Sequence, residues 1–223
     1  MKIGLQFAMP AELHALPGAK DWTPFETVSG IPFYEAEPGI IVCAGGVSKV
    51  NAAMAAEILC LKYGVDLILN AGVAGCLTDL PTGSLVVPDE FIQHDVDTTG
   101  CGDPIGMVST VNMVEFPTSD LDRAKAAMAR TGYAFCTGTV ATGDWFGIPG
   151  ARADWIRNTF HPLLCDMEGG AAAQVCCRCG VPFMALKSVS DCLTSKHDYY
   201  FNFPMAMRDL NAAVLAFAES LEA

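Results

Sequence analysis

Residues 66–75 read Asp66-Leu67-Ile68-Leu69-Asn70-Ala71-Gly72-Val73-Ala74-Gly75, and the fold is decided here. The centre, Leu67-Ile68-Leu69, is apolar without alternation, the pattern of a short strand covered on both faces. A strand is therefore predicted over residues 66–70, running into a flexible glycine-rich loop over 71–75. Upstream, residues 2–8, 31–35 and 40–44 read as strands. Pro38-Gly39 turns the chain between the last two, and Pro32 places the strand that contains it at a sheet edge. Gly45-Gly46 opens a helix in which Val47, Val50, Ala53 or Met54, and Ile58 recur at helical spacing. Downstream, strands are predicted over 84–87, 90–92, 135–141 and 182–190, and helices over 119–130, 151–158, 167–179 and 205–221. Ser119 is the expected N-cap of the first of these helices. Interleaved strands and helices without a linker or internal repeat predict one α/β domain over residues 1–223. The expected architecture is a three-layer sandwich, a mixed central sheet flanked by helices.

Composition narrows the classes of function. Hydrophobic residues make up 52% of the 223 and charged residues 17%, which supplies a core and argues against disorder. No apolar stretch is long enough to span a bilayer, and residues 1–9 read as a buried strand rather than a signal peptide. The expectation is a cytoplasmic protein with no membrane partner. The net charge is −12, and the 13 Lys and Arg form no run, so a nucleic-acid partner is not expected. Of ten cysteines, Cys176 and Cys179 make a C-x-x-C. No second pair or nearby His pair completes a zinc set, so packing is preferred over metal and no metal is predicted.

In open α/β sheets ligands bind beyond the carboxyl ends of strands. The polar residues there are Glu12 in Met9-Pro10-Ala11-Glu12, Asn70 with its glycine-rich run, and Ser190-Asp191, and between them Cys165-Asp166-Met167-Glu168 opens a helix with two acids. Singly, each acid has a structural reading: Glu12 beside a helix dipole, Asp166 and Glu168 as caps, Asp191 ordering a loop. Glu12, Glu168 and Asp191 converging on one sheet edge would be a site. The 72–75 run suggests a phosphate cradle but lacks the Gly-Lys-Ser/Thr ending of a P-loop.

These pieces, in order, carry a resemblance. Ala8-Met9-Pro10-Ala11-Glu12, Gly46-Val47-Ser48-Lys49-Val50 and Asn70-Ala71-Gly72-Val73-Ala74-Gly75 are followed by His94-Asp95-Val96-Asp97, Gly143-Asp144-Trp145-Phe146, Asp166-Met167-Glu168 and Ser190-Asp191. From Met1 to about Ala218 the chain resembles the 5′-methylthioadenosine/S-adenosylhomocysteine nucleosidases of the wider purine nucleoside phosphorylase family. The resemblance implies hydrolysis of a purine nucleoside, with water as co-substrate, no cofactor, and a homodimer whose partner helps close the 5′ end of the pocket. By the same resemblance, Asp191 is the catalytic acid on the purine, oriented by Ser190, and Glu12 holds the attacking water. Glu168 accepts from the ribose hydroxyls, Met167 packs beneath the sugar, and Phe146 stacks on the base while the main chain at Phe146 and Gly147 reads its edge. Met9, Val47, Met167 and Phe201 make the 5′ pocket apolar, and the loop over 194–200 limits it.

Four positions depart from the family's pattern. Pro10-Ala11 stands ahead of Glu12 in place of two further glutamates, Val73 replaces a serine, and Lys187 replaces an arginine, keeping the charge without the planar fork. They bear on the particular nucleoside, with futalosine as the first alternative. A phosphorylase would need cations near Glu12, yet all six Arg lie outside the first motif and the glycine-rich run. A non-catalytic nucleoside-binding module would have no use for an acid at Asp191.

Overall fold

A computed structural model describes residues 1–194 and 199–221, with side chains from 199 to 201 outside the description. The strands are β1 (Ile3–Phe7), β2 (Glu26–Val28), β3 (Ile31–Glu37), β4 (Ile40–Ala44), β5 (Leu67–Cys76), β6 (Leu85–Gln93), β7 (Glu115–Pro117), β8 (Phe135–Thr142), β9 (Leu164–Asp166) and β10 (Phe183–Cys192). The helices are α1 (Pro10–Leu13), α2 (Lys49–Glu57), α3 (Leu121–Arg130), α4 (Ala151–Phe160), α5 (Gly169–Cys179) and α6 (Tyr199–Ser220). All strands join one mixed sheet in the order β10-β6-β8-β9-β5-β1-β4-β3-β2, with β7 on β6. A further pairing of β10 with β5 closes β5, β10, β6, β8 and β9 into a ring, and β1 to β4 form a wing beyond it.

The unbroken apolar runs follow from helices on both faces. Ile3, Leu5, Leu67, Leu69, Met184 and Leu186 pack with Leu210, Val214 and Phe217 of α6 and Met128 of α3. The alternate residues Ile68, Phe183 and Ala185 pack with Ala55 of α2, Leu59 beyond it, and Ala172 and Cys176 of α5. Burying a large aliphatic or aromatic side chain in this way is worth about 1.5–3 kcal/mol, so each strand is held from two sides. The α/β architecture is as the sequence predicts, and β4 has the predicted bounds.

Several local expectations are corrected. Residues 71–75 are not a flexible loop but the second half of β5. They run parallel to β10, from Ala71 opposite Leu186 to Cys76 opposite Cys192. β3 is not the edge strand, because β2 lies outside it. Pro32 pairs with Thr27 of β2, whereas the β4 ladder begins only at Phe33, so the missing N–H is not called on. Ser119 is not the N-cap of α3. Asp120 caps it, its side chain accepting from the Arg123 N–H. Ser119 instead ties to β10, its hydroxyl accepting from the Phe183 N–H at 3.0 Å. The last helix begins at Tyr199 and runs through Pro204 rather than starting after it. The predicted gap at 88–89 is bridged, β6 continuing through it with a register shift between Pro88 and Phe91.

Candidate active site

The carboxyl ends of β1, β4, β5, β8, β9 and β10 surround a cleft with about 620 Å³ of empty space. Met9, Glu12, Val47, Val73, Phe146, Gly147, Met167, Glu168, Ser190 and Asp191 all line it, which brings together every site residue singled out from the sequence except Phe201. That side chain lies outside the described residues, as does most of the loop over 194–200. Among the described residues, Ala8, Ala74, Gly75, Trp145, Cys165 and Asp166 complete the lining.

Glu12 sits in the single turn of α1, which Pro10 initiates. Its side chain is buried, and one carboxylate oxygen accepts from the N–H groups of Ala8 at 3.1 Å and Met9 at 2.9 Å. The other accepts from the Val73 N–H at 3.0 Å. A Cβ at residue 72 would stand 2.7 Å from Glu12 Oε1, so Gly72 is what lets the carboxylate lie against β5. The glycine-rich run therefore receives a carboxylate of this chain, and the phosphate-cradle reading falls. Burial raises the Glu12 carboxyl above its ordinary value, while the Met9, Val73 and Ala8 amides and the Lys187 charge pull the other way.

Lys187 projects from β10 into the same region and is 2% exposed. Its ammonium lies 2.8 Å from Asp166 Oδ2. Burial alone would lower the Lys187 pKa, but Asp166, Glu168 and Glu12 together raise it, so it stays charged. Asp166 also accepts from the Thr142 hydroxyl at 2.6 Å and the Gly169 N–H at 2.9 Å. Glu168 accepts from the Ser48 N–H at 3.0 Å and the Met167 N–H at 3.2 Å. Ser48 holds φ at 95°, a conformation that costs a non-glycine residue about 1–3 kcal/mol and here aims its N–H across the cleft. Register shifts between Val189 and Asp191, leaving Ser190 as a bulge that re-aims the end of β10. The Ser190 hydroxyl donates to the Ala74 carbonyl at 3.3 Å.

Asp166 is the functional residue the sequence undervalued. Its only signal was the run Cys165-Asp166-Met167-Glu168, in which it reads as a cap. The C-x-x-C lies in α5, where Cys176 is buried and, with Cys179, packs into the same core cluster as Cys60.

A carboxyl-lined cleft at the strand ends of a partly closed mixed sheet defines a class, and comparison supplies it: the chain belongs to the phosphorylase superfamily, whose profile matches residues 2–219. Within that superfamily it is similar to a 5′-methylthioadenosine/S-adenosylhomocysteine nucleosidase of Shewanella loihica, 36% identical over 198 residues and 86% of each chain. A nucleosidase of the same name from Colwellia psychrerythraea, solved in complex with adenine, superposes with a TM-score of 0.86 at 30% identity, covering 99% of this chain and 96% of that one. The futalosine hydrolase of Helicobacter pylori also superposes with a TM-score of 0.86, at 26% identity over 100% of this chain and 97% of that one.

Burial, reinforced by the Asp166 charge, pushes the Glu168 carboxyl up to about 7, from 4.5 in the open chain. The folded form then holds a proton that the unfolded form has released, so this group lowers stability as pH rises from about 4.5 through 7. The unliganded protein should melt at a lower temperature at pH 8 than at pH 5, and Glu168→Gln should remove most of that slope. Thermal melts across this range check it, and an unchanged slope in the variant would assign the titration elsewhere.

Proposed function

We propose that the chain hydrolyses the N-glycosidic bond of a 5′-modified purine nucleoside, using water and releasing the free base. One observation carries the reading. The cleft presents Glu12, Asp166, Glu168 and Asp191, and its described lining includes no Lys or Arg. Breaking a purine glycosidic bond builds positive charge on the ribose and negative charge on the departing base. Carboxylates suit the first, and a protonated carboxyl suits the second. Phosphorolysis would bring an anion to a cleft whose described lining carries four acids and no Lys or Arg, the nearby Lys187 charge being taken up by Asp166. The names of the similar proteins support the same activity, with futalosine hydrolysis as the second reading on the strength of the Helicobacter pylori likeness.

Asp191 donates a proton to the imidazole-ring nitrogen of the leaving purine, with Ser190 orienting it. Glu168 accepts hydrogen bonds from the ribose hydroxyls above Met167. Glu12 holds and polarises the water that attacks the anomeric carbon. Phe146, 54% exposed at the mouth, covers the base, and the main chain at Phe146 and Gly147 reads its edge. Base release should not depend on phosphate. Asp191→Asn and Glu12→Gln should each lower turnover about 100-fold or more, the scale of one lost acid or base, in protein that remains folded. A rate proportional to phosphate, with ribose 1-phosphate as product, would refute hydrolysis.

Met9, Val47, Val73 and Met167 are apolar cleft residues. A charged 5′ group beside them would shed hydration without a partner, and the flexible Met side chains accept varied shapes. Uncharged 5′ substituents should therefore be preferred. The measurement is kcat/KM for methylthioadenosine, S-adenosylhomocysteine, adenosine, futalosine and adenosine monophosphate, and a best value for the monophosphate would overturn the argument.

Val47, Val50, Phe146 and Ile148 are 40%, 73%, 54% and 57% exposed, two of them lining the cleft. A second copy of the chain is the occupant we assign to these side chains, which makes the active form a homodimer. Light scattering at micromolar concentration should give twice the chain mass, and a fully active monomer would refute it.

A further inference from the structure

Three stretches that carry the resemblance have residues with no part in this chemistry: Lys49, the pair His94-Asp95, and Gly143-Asp144. The structure joins them beside the cleft. Asp95 Oδ1 lies 2.7 Å from the Lys49 ammonium, and Asp95 Oδ2 accepts from the Asp144 N–H at 2.8 Å. The ring closes where Asp144 Oδ1 accepts from the Lys49 N–H, also at 2.8 Å. The side chains of Lys49 and Asp95 are only 20% and 18% exposed, so bulk salt screens their pair weakly.

Each side of this ring continues directly into a wall of the cleft. Asp144 precedes Trp145, Phe146 and Gly147, the side assigned to the base. Lys49 follows Ser48, whose N–H holds Glu168, the side assigned to the ribose. We propose that Asp95 is a positioning residue that clamps the base-binding segment 145–147 to the ribose-binding segment 47–48, so that base and sugar contacts form as one unit. The inference rests on the nucleosidase reading, and it adds a residue that touches no reacting atom.

Two further observations favour it. Ser48 sits at φ 95° without being glycine, and such a conformation persists only where its surroundings over-determine it. The bond from Lys49 N–H to Asp144, one residue on, supplies that constraint. On the other wall, the His94 ring fills the space a Cβ at residue 143 would need, 2.4 Å away, and meets Trp145 edge-on with centroids 6.2 Å apart. The 143–147 segment is thus packed from below, and Asp95 fixes its position along the rim.

The test uses the full chain with Asp95→Asn, Lys49→Met and the double variant, read by steady-state kinetics on methylthioadenosine and by the inhibition constant of adenine. Each single variant should raise KM and the adenine constant about tenfold, the scale of a lost hydrogen bond to a charged group, with kcat reduced less. The double variant should be no worse than the weaker single, since one ring breaks only once, and Asp95→Glu should recover part of the loss. Lys49→Met decides the matter if Asp95→Asn fails to fold. Adenine constants within about twofold of the parent in folded variants, or losses that add in the double, overturn the clamp while leaving the nucleosidase intact. A parent that releases no base from any of the nucleosides above overturns both.

Discussion

Lys187 places an ammonium inside the protein against Asp166, at 2.8 Å, with both side chains almost wholly buried. Removing one partner of such a pair costs about 3–5 kcal/mol, because the other is left uncompensated. β9 and β10, which carry the two residues, must therefore be held in fixed relation, and both pair with β5. The pair neutralises one carboxylate and leaves Glu12 and Glu168 beside it. Those two are satisfied by main-chain donors: Ala8, Met9 and Val73 for Glu12, Ser48 and Met167 for Glu168. All of these donors lie in β5 or at the turns following β1, β4 and β9, so the path of the chain over this end of the sheet is set by the need to solvate buried carboxylates without water.

This explains why the layered architecture was legible in the sequence and the second half of the central strand was not. Apolar runs such as Leu67-Ile68-Leu69 and Phe183-Met184-Ala185-Leu186 announce strands covered on two faces. Ala71-Gly72-Val73-Ala74-Gly75 announces nothing, because small residues have no period and glycine weakens a strand in isolation. The segment is a strand because β10 pairs with it throughout, and Gly72 is needed there because a carboxylate occupies the place of its side chain. β2, β7 and β9 have three residues each, too few to display alternation. Their existence is a consequence of neighbours already in place.

The site divides along the same line. Glu12 and Asp191 stand at strand ends that could be located from hydrophobic runs, Glu168 lies at the opening of a predicted helix, and the ordered resemblance gathered them. Asp166, Lys187 and the Lys49–Asp95–Asp144 ring depend on partners far away in sequence. Thr142 is 24 residues from Asp166, and Lys49 is 95 from Asp144. An aspartate before a helix is ordinarily a cap, and nothing local distinguishes one that grips a buried lysine. The replacement of arginine by Lys187 was visible, but its consequence was not. A compact point charge settles on one carboxylate rather than spanning two as a planar fork does.

The same electrostatics connect stability to the proposed reaction. With Lys187 held by Asp166, Glu12 and Glu168 face the cleft with no cation of their own among the described lining residues, and the Glu168 carboxyl is pushed up to about 7 by burial and by Asp166. An empty site with this arrangement is destabilising to the fold. A neutral nucleoside does not relieve it, because it brings no charge. In the proposed reaction the ribosyl cation that forms as the base departs would, by favouring the charged form of these carboxyl groups: at an effective dielectric of about 20, unit charges about 4 Å apart attract by about 4 kcal/mol. The carboxylates are held by backbone amides before the reaction begins, so no reorganisation is needed when that charge appears. Stabilisation that exists only in the transition state accelerates the step rather than tightening substrate binding. An incoming phosphate would experience the same field with its sign reversed, whereas water enters uncharged. On the proposed reading, the choice of nucleophile thus follows from the carboxyl groups that would stabilise the cation.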